Sequence, residues 1–236
     1  MHYAVSGGSI KTVRCIMTEE FLKDHHNPKD VKEQTPMHEA SIYGHVNILE
    51  IFLNDSSISD KHPINLNGYT PMHEAAMRGY EKIIGLFLEN VNVIEKHPKD
   101  KFEATPMHKA AEKGHLKTIN TFLNSSNILN KHPKNQYGEC PMHIAAAKGH
   151  QNIVKAFLTN KNVDEKYPKN SLGCSPFHLA ASNGHEKVVE VFIEHFYKDD
   201  DTAVHLKNNT GDSPIHCAAR EGQLKVIEVF LRSDKG

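Results

Sequence analysis

The chain has no tryptophan, only four cysteines and almost no net charge, and each shortage removes a class of protein. With no tryptophan and 38 % hydrophobic residues, 236 residues would build one thin core. An array in which each unit buries its apolar face on the next escapes that limit. Lysine plus arginine total 28 against 29 for aspartate plus glutamate, so no net field draws nucleic acid or an anionic membrane, and neither is expected as a partner. No apolar run approaches ~18 residues, and Met1-His2-Tyr3-Ala4-Val5 has no basic segment leading into an apolar one. A cytoplasmic chain without direct membrane contact is predicted. Cys15, Cys140, Cys174 and Cys217 are too irregular for a disulfide framework, and the closest two stand 34 positions apart, which excludes paired zinc-ligand spacing. They read as free thiols. There is no Gly-x-Ser-x-Gly elbow and no phosphate-cradling glycine loop, so neither an enzyme nor a cofactor is expected.

What the chain does have is a rhythm. A Pro-x-His core recurs at Pro36, Pro71, Pro106, Pro141, Pro176 and Pro214. Its histidines, His38, His73, His108, His143, His178 and His216, step by 35 four times and then by 38. Six positions after each stands a glycine, from Gly44 to Gly222, and His2 with Gly8 keeps the same offset. Thr35, Thr70, Thr105 or Ser175 precedes the proline, a hydroxyl cap before a proline at the first helical position. Pairs such as Ala75-Ala76 and Ala110-Ala111 allow close helix approach, and the following glycine suits a left-handed stop. A second helix follows, apolar at i, i+3 and i+4, as in Ile48, Leu49, Phe52 and Leu53. Gly68, Gly138, Gly173 and Gly211 then mark the tips of predicted hairpin fingers.

Thr70-Pro71-Met72-His73-Glu74-Ala75-Ala76, followed by Arg78-Gly79, resembles the ankyrin repeat signature, and near-copies in register cover almost the whole chain. The resemblance implies an all-α ankyrin solenoid of L-shaped helix-turn-helix units with projecting hairpin loops. About seven repeats are expected, the first truncated: 1–33, 34–68, 69–103, 104–138, 139–173, 174–211 and 212–236, forming a single array over 1–236. It also implies a protein-protein interaction scaffold that binds another protein on a concave face of fingers and first helices. The chain departs from the family in a period of 35, from two extra residues in Lys61-His62-Pro63, Lys96-His97-Pro98, Lys131-His132-Pro133 and Lys166-Tyr167-Pro168. Glu103 stands where other fingers carry a tip glycine, which predicts a different turn there.

Where the scaffold repeats, the positions that vary are free to choose a partner. The residue after the core histidine runs Glu39, Glu74, Lys109, Ile144 and Leu179, from acidic through basic to apolar. The finger position two after the Asn or Asp holds Asn67, Phe102, Tyr137 and Leu172. Phe102, Tyr137, Ile144, Leu172 and Leu179 are the predicted partner-binding patch, the alternative being that neighbouring fingers bury one another. The core histidines are read as structural, because equivalent residues on stacked units, roughly 8–10 Å apart, cannot converge on one ion. No metal ligand is named. His25-His26 reads as a solvent-exposed loop, the Lys-His-Pro ladder as a solvated mixed-charge surface rather than an anion site, and Lys198-Asp199-Asp200-Asp201 as a solvated acidic protrusion. No polar capping repeat closes either end, which predicts a segment of a longer protein with further repeats or domains. The alternative functions are the cytoplasmic ankyrin segment of a membrane channel or multidomain signalling enzyme, and, more weakly, recognition of a small phosphorylated ligand.

Overall fold

Each Pro-x-His core opens a short helix, a left-handed glycine ends it, and a longer amphipathic helix runs back alongside. The structure, a computed structural model, describes residues 1–19, 26–199 and 206–233, and among these it contains helices and turns but no strand. They fall into two compact units, 1–129 and 130–236. In the first, the opening helices α1 (His2–Ser6), α3 (Pro36–Tyr43), α5 (Pro71–Arg78) and α7 (Pro106–Lys113) pack in sequence. Their partners α2 (Ile10–Thr18), α4 (Val46–Asn54), α6 (Glu81–Glu89) and α8 (Leu116–Asn124) form a second row. The second unit repeats the scheme with α9 (Pro141–Ala147), α11 (Pro176–Ser182) and α13 (Pro214–Arg220) beside α10 (Gln151–Thr159), α12 (Glu186–Asp199) and α14 (Leu224–Ser233).

The core of each unit is a ladder of equivalent side chains. In the first, Met37, Met72 and Met107 alternate with Phe52, Phe87 and Phe122, all fully buried. Burying each such side chain stabilises the stack by ~1.5–3 kcal/mol. In the second unit Met142 keeps the methionine position and Phe177 takes it in the next repeat, stacking on Phe192 at 4.9 Å with the Phe230 ring at 5.5 Å. The glycine after each first helix serves twice. Gly79 has φ +75°, and a Cβ there would lie 2.7 Å from the His115 ring, so the residue must be small as well as left-handed.

The fingers are tighter than the predicted hairpins. Asn65 N–H donates to the Tyr69 carbonyl (3.0 Å) and Gly68 N–H to the Asn65 carbonyl (2.8 Å), closing a five-residue turn. One side-chain oxygen then staples it, since Asn65 Oδ1 accepts from Asn67 and Tyr69 N–H. The expected exception at Glu103 is corrected: Glu103 enters the left-handed position at φ +59° and the Asp100 turn closes as the others do. Glu33 does the same at φ +56°. The Asx staple imposes the turn, and the residue at its fourth position follows.

The Lys-His-Pro ladder divides in two: Lys99, Lys134 and Lys169 are exposed, as expected of a solvated mixed-charge surface, while the lysines before the prolines turn inward. Lys61 Nζ donates to the Phe52 and Asp55 carbonyls (3.0 and 2.7 Å), and Lys96 Nζ to those of Phe87 and Asn90 (2.9 and 2.8 Å). Lys166 repeats the arrangement on Phe157 and Asn160. Each lysine satisfies the open carbonyls at the end of the second helix of its own repeat, where the helix dipole favours a cation. Of the acidic insertion, Lys198 and Asp199 end α12, while Asp200 and Asp201 lie outside the described residues, as do His25 and His205. His26, expected in solvent, is buried, its Nδ1 2.6 Å from Asp55 Oδ2 and 3.1 Å from Ser57 Oγ.

A left-handed residue other than glycine costs roughly 1–2 kcal/mol. Glu103→Gly is therefore expected to raise stability by about 0.5–1 kcal/mol in urea denaturation, after the loss of the exposed Lys99–Glu103 pair. Glu103→Ala, which keeps the strain, is expected to give no gain.

Candidate functional site

Every finger is built the same way, so its tip is held rigidly while the side chain there is left free to vary. Tyr137 N–H and Glu139 N–H donate to Asn135 Oδ1 (2.9 and 3.0 Å), and Leu172 and Cys174 N–H to Asn170 Oδ1 (3.0 Å each). Consecutive fingers are also tied to each other, Ser171 N–H donating to the Tyr137 carbonyl and Asn209 N–H to that of Leu172 (3.1 Å each). With their backbones pinned, Tyr137 and Leu172 remain 58 % and 69 % exposed, so the fingers do not bury one another's tips. Ile144 and Leu179, on the first turns of α9 and α11, are half-buried. In the first unit the Phe102 tip is 45 % exposed, with Lys101 Nζ 5.4 Å over its ring. Sequence reasoning missed Leu66, 63 % exposed on the preceding finger, because it took the neighbouring Asn67 as the variable position.

The charged members of the variable series behave differently, and here the sequence expectation is corrected. Glu74 and Lys109 are buried, not presented to solvent. Glu74 accepts from Asn65 Nδ2 (3.1 Å) and pairs with Arg78 (2.6 Å). Lys109 Nζ lies 2.8 Å from Asp100 Oδ2 and 4.9 Å from the Tyr69 ring centroid. Burial opposes the Lys109 charge, yet the hydrogen bond and charge of Asp100 hold its pKa above the usual lysine value. Burial likewise acts to raise the Asp100 pKa, but Lys109 and the Phe102 and Ala104 amides hold it below the usual carboxylate range. These two positions join finger to helix. Glu39 is half-buried beside Asp30 and His2.

The core histidines are connectors. Thr70 N–H and its hydroxyl both meet His73 Nδ1 (3.2 and 2.8 Å), while His73 Nε2 sits 2.9 Å from the Ala104 carbonyl in the next repeat. An amide only donates and a carbonyl only accepts, so the ring must be neutral with its proton on Nε2. His38 bridges to Tyr69, His143 to Cys174 and His178 to Asp212 in the same way. Both nitrogens of these rings are engaged, which leaves none to ligate a metal or shuttle a proton. His216 makes the cap contact to Ser213 but is itself exposed. At Cys140, which replaces the hydroxyl cap, the thiol lies 3.1 Å from His143 Nδ1 and burial pushes its pKa up to about 12, so it stays a neutral thiol. All four cysteines are free.

A family model described as "Ankyrin repeats (3 copies)" matches residues 1–100, 90–167 and 159–236. The chain belongs to the ankyrin repeats. No curated protein matches it. Ankyrin repeats generally serve as protein-protein interaction modules. Among the described residues of this ankyrin chain, no helix is long and apolar enough to cross a membrane.

The neutral histidines make a pH prediction. Burial lowers the His73 pKa from 6.5 to about 4, and burial also lowers His38 and His178. Between those pH values the unfolded chain binds a proton that the folded array refuses. The stabilisation is thus complete above about pH 6.5 and declines as pH falls toward 4, by about 3 kcal/mol for His73 alone. Urea midpoints are expected to drop steadily from pH 7 to 4.5, and a flat profile over that range contradicts the assignment.

Proposed function

We propose that this ankyrin array is a non-catalytic scaffold that binds a partner protein through apolar finger tips. The main surface is Tyr137 and Leu172 together with the half-buried Ile144 and Leu179 of the same unit, and Phe102 is the equivalent tip of the first unit. The observation that carries this reading is the exposure of Tyr137 and Leu172 on backbones already closed by Asx staples and finger-to-finger hydrogen bonds. A rigid aromatic or aliphatic anchor loses little conformational entropy on binding, and covering each is worth about 1.5–3 kcal/mol. The scaffold itself has no use for an apolar side chain there. The absence of catalysis is supported by the commitment of both nitrogens of His38, His73, His143 and His178 to backbone and cap groups. The phosphorylated-ligand alternative is disfavoured, since Lys61, Lys96 and Lys166 already donate to helix carbonyls.

The test is a quantitative pull-down from lysate with wild type and a Tyr137→Ala, Leu172→Ala double variant, each first shown by circular dichroism to fold alike. A second double variant, Ile94→Ala, Leu129→Ala, removes two nearly fully exposed apolar residues from the loops after the second helices. A partner retained by wild type is expected to be lost at least tenfold with the finger variant and kept with the loop variant. Retention by the finger variant, or loss only with the loop variant, places binding elsewhere.

A further inference from the structure

We infer that His2, Asp30 and Glu39 of the first unit form a binding site for one divalent metal ion of the zinc type. One ligand atom from each of the three lies within 4.8 Å of the others, and all three side chains are half-buried. The sequence reading named no metal ligand because it set aside sharing between equivalent histidines. This set holds a single repeat-core histidine and draws its other members from a finger and the next first helix.

Three observations support the site. First, His2 Nε2 sits 3.0 Å from the Pro28 carbonyl, which can only accept, so Nε2 carries a proton and Nδ1 is the nitrogen that can serve a metal. That Nδ1 is buried and has no hydrogen-bond partner among the described residues. A ring fixed by a carbonyl on one nitrogen and open on the other is the usual state of a metal-ligating histidine. Second, Asp30 Oδ1 accepts from Lys32 and Gln34 N–H at 2.8 Å each, which orients the carboxylate and leaves Oδ2 unengaged by the turn. Third, the other repeats of this unit place a complementary pair at these two positions: Asn65 donates to Glu74, and Asp100 pairs with Lys109. Asp30 and Glu39 are instead two carboxylates facing each other, an arrangement that a cation stabilises.

Zinc takes imidazole nitrogen and carboxylate oxygen at about 2.0–2.2 Å, so the three ligand atoms need to draw together by roughly an ångström. One nitrogen and two oxygens suit Zn2+, Mn2+ or Fe2+ better than Cu+, and three protein ligands leave a position for water. The ion would staple α1, the first finger and α3, adding stability to the folded state by mass action.

The test is calorimetric titration of the full chain with Zn2+ at pH 7 in a non-chelating buffer, for wild type, Asp30→Asn and Glu39→Gln. Asn65, Asn135 and Asn170 form the same staple at the equivalent position, so Asp30→Asn keeps the turn. One ion per chain with micromolar affinity is expected, weakened at least tenfold by either substitution, while the metal-free variants melt no lower than wild type. No binding overturns the site. Binding of equal strength in both variants also overturns it, because the ion is then held by other groups, such as the terminal amine with His2 or the remaining histidines.

Discussion

The array depends on one hydrogen bond repeated along the chain, from the Nε2–H of a neutral, buried imidazole to a carbonyl in the adjacent repeat. A stacked unit needs more than apolar contact, since methionine and phenylalanine ladders would slide along one another without much change in buried area. The imidazole sets the register. At His73 one nitrogen closes the cap of its own helix and the other reaches Ala104, so the start of one repeat is fixed to the finger of the next. The ring takes the place of the Glu or Gln that usually completes a capping box, and it does so with a second nitrogen left over for the neighbour.

Two further histidine rows work in the same sense on other faces. His115 and His185, just after the glycines, contact the Met77 and Ala147 carbonyls of the preceding repeat at 2.9 and 2.8 Å. His62 and His132, in the extra residues that lengthen the period, contact the Glu95 and Glu165 carbonyls of the following repeat and stack on Phe87 and Phe157. The lengthened segment is therefore part of the stacking, with its lysine ending one helix and its histidine gripping the next. Because backbone and histidine fix the scaffold, residues such as Tyr137 and Leu172 are released from structural duty, which is why the chain can vary them.

Much of this was legible in the sequence where the governing chemistry is local. A hydroxyl, a proline, a histidine and a glycine at constant offsets each answer a need within one helix, so the helix pairs and the structural role of the core histidines follow from spacing. The exposure of Phe102, Tyr137 and Leu172 followed from their place on a turn. What escaped depends on side chains meeting across folded chain. Glu74 and Lys109 looked like free surface charges until the finger folded back to bring Asn65 and Asp100 against them. Lys61 and Lys96 looked like part of a solvated mixed-charge surface because nothing local shows that their ammonium groups return to carbonyls nine and six positions earlier. His26 is buried by Asp55, 29 positions away. Glu39 stood out only as a variable position and Asp30 not at all, since the meeting of the two beside His2 joins separate elements.

The most direct test of the central claim is long-range nitrogen-15 correlation NMR of the imidazole rings, which reports which nitrogen of each histidine carries a proton. The account predicts that at pH 7 His38, His73, His143 and His178 are all neutral with the proton on Nε2, and that His73 keeps that form at pH 5. Imidazolium signals, or the proton on Nδ1, at these four positions would mean that the bridge to the neighbouring carbonyl is not what sets the register.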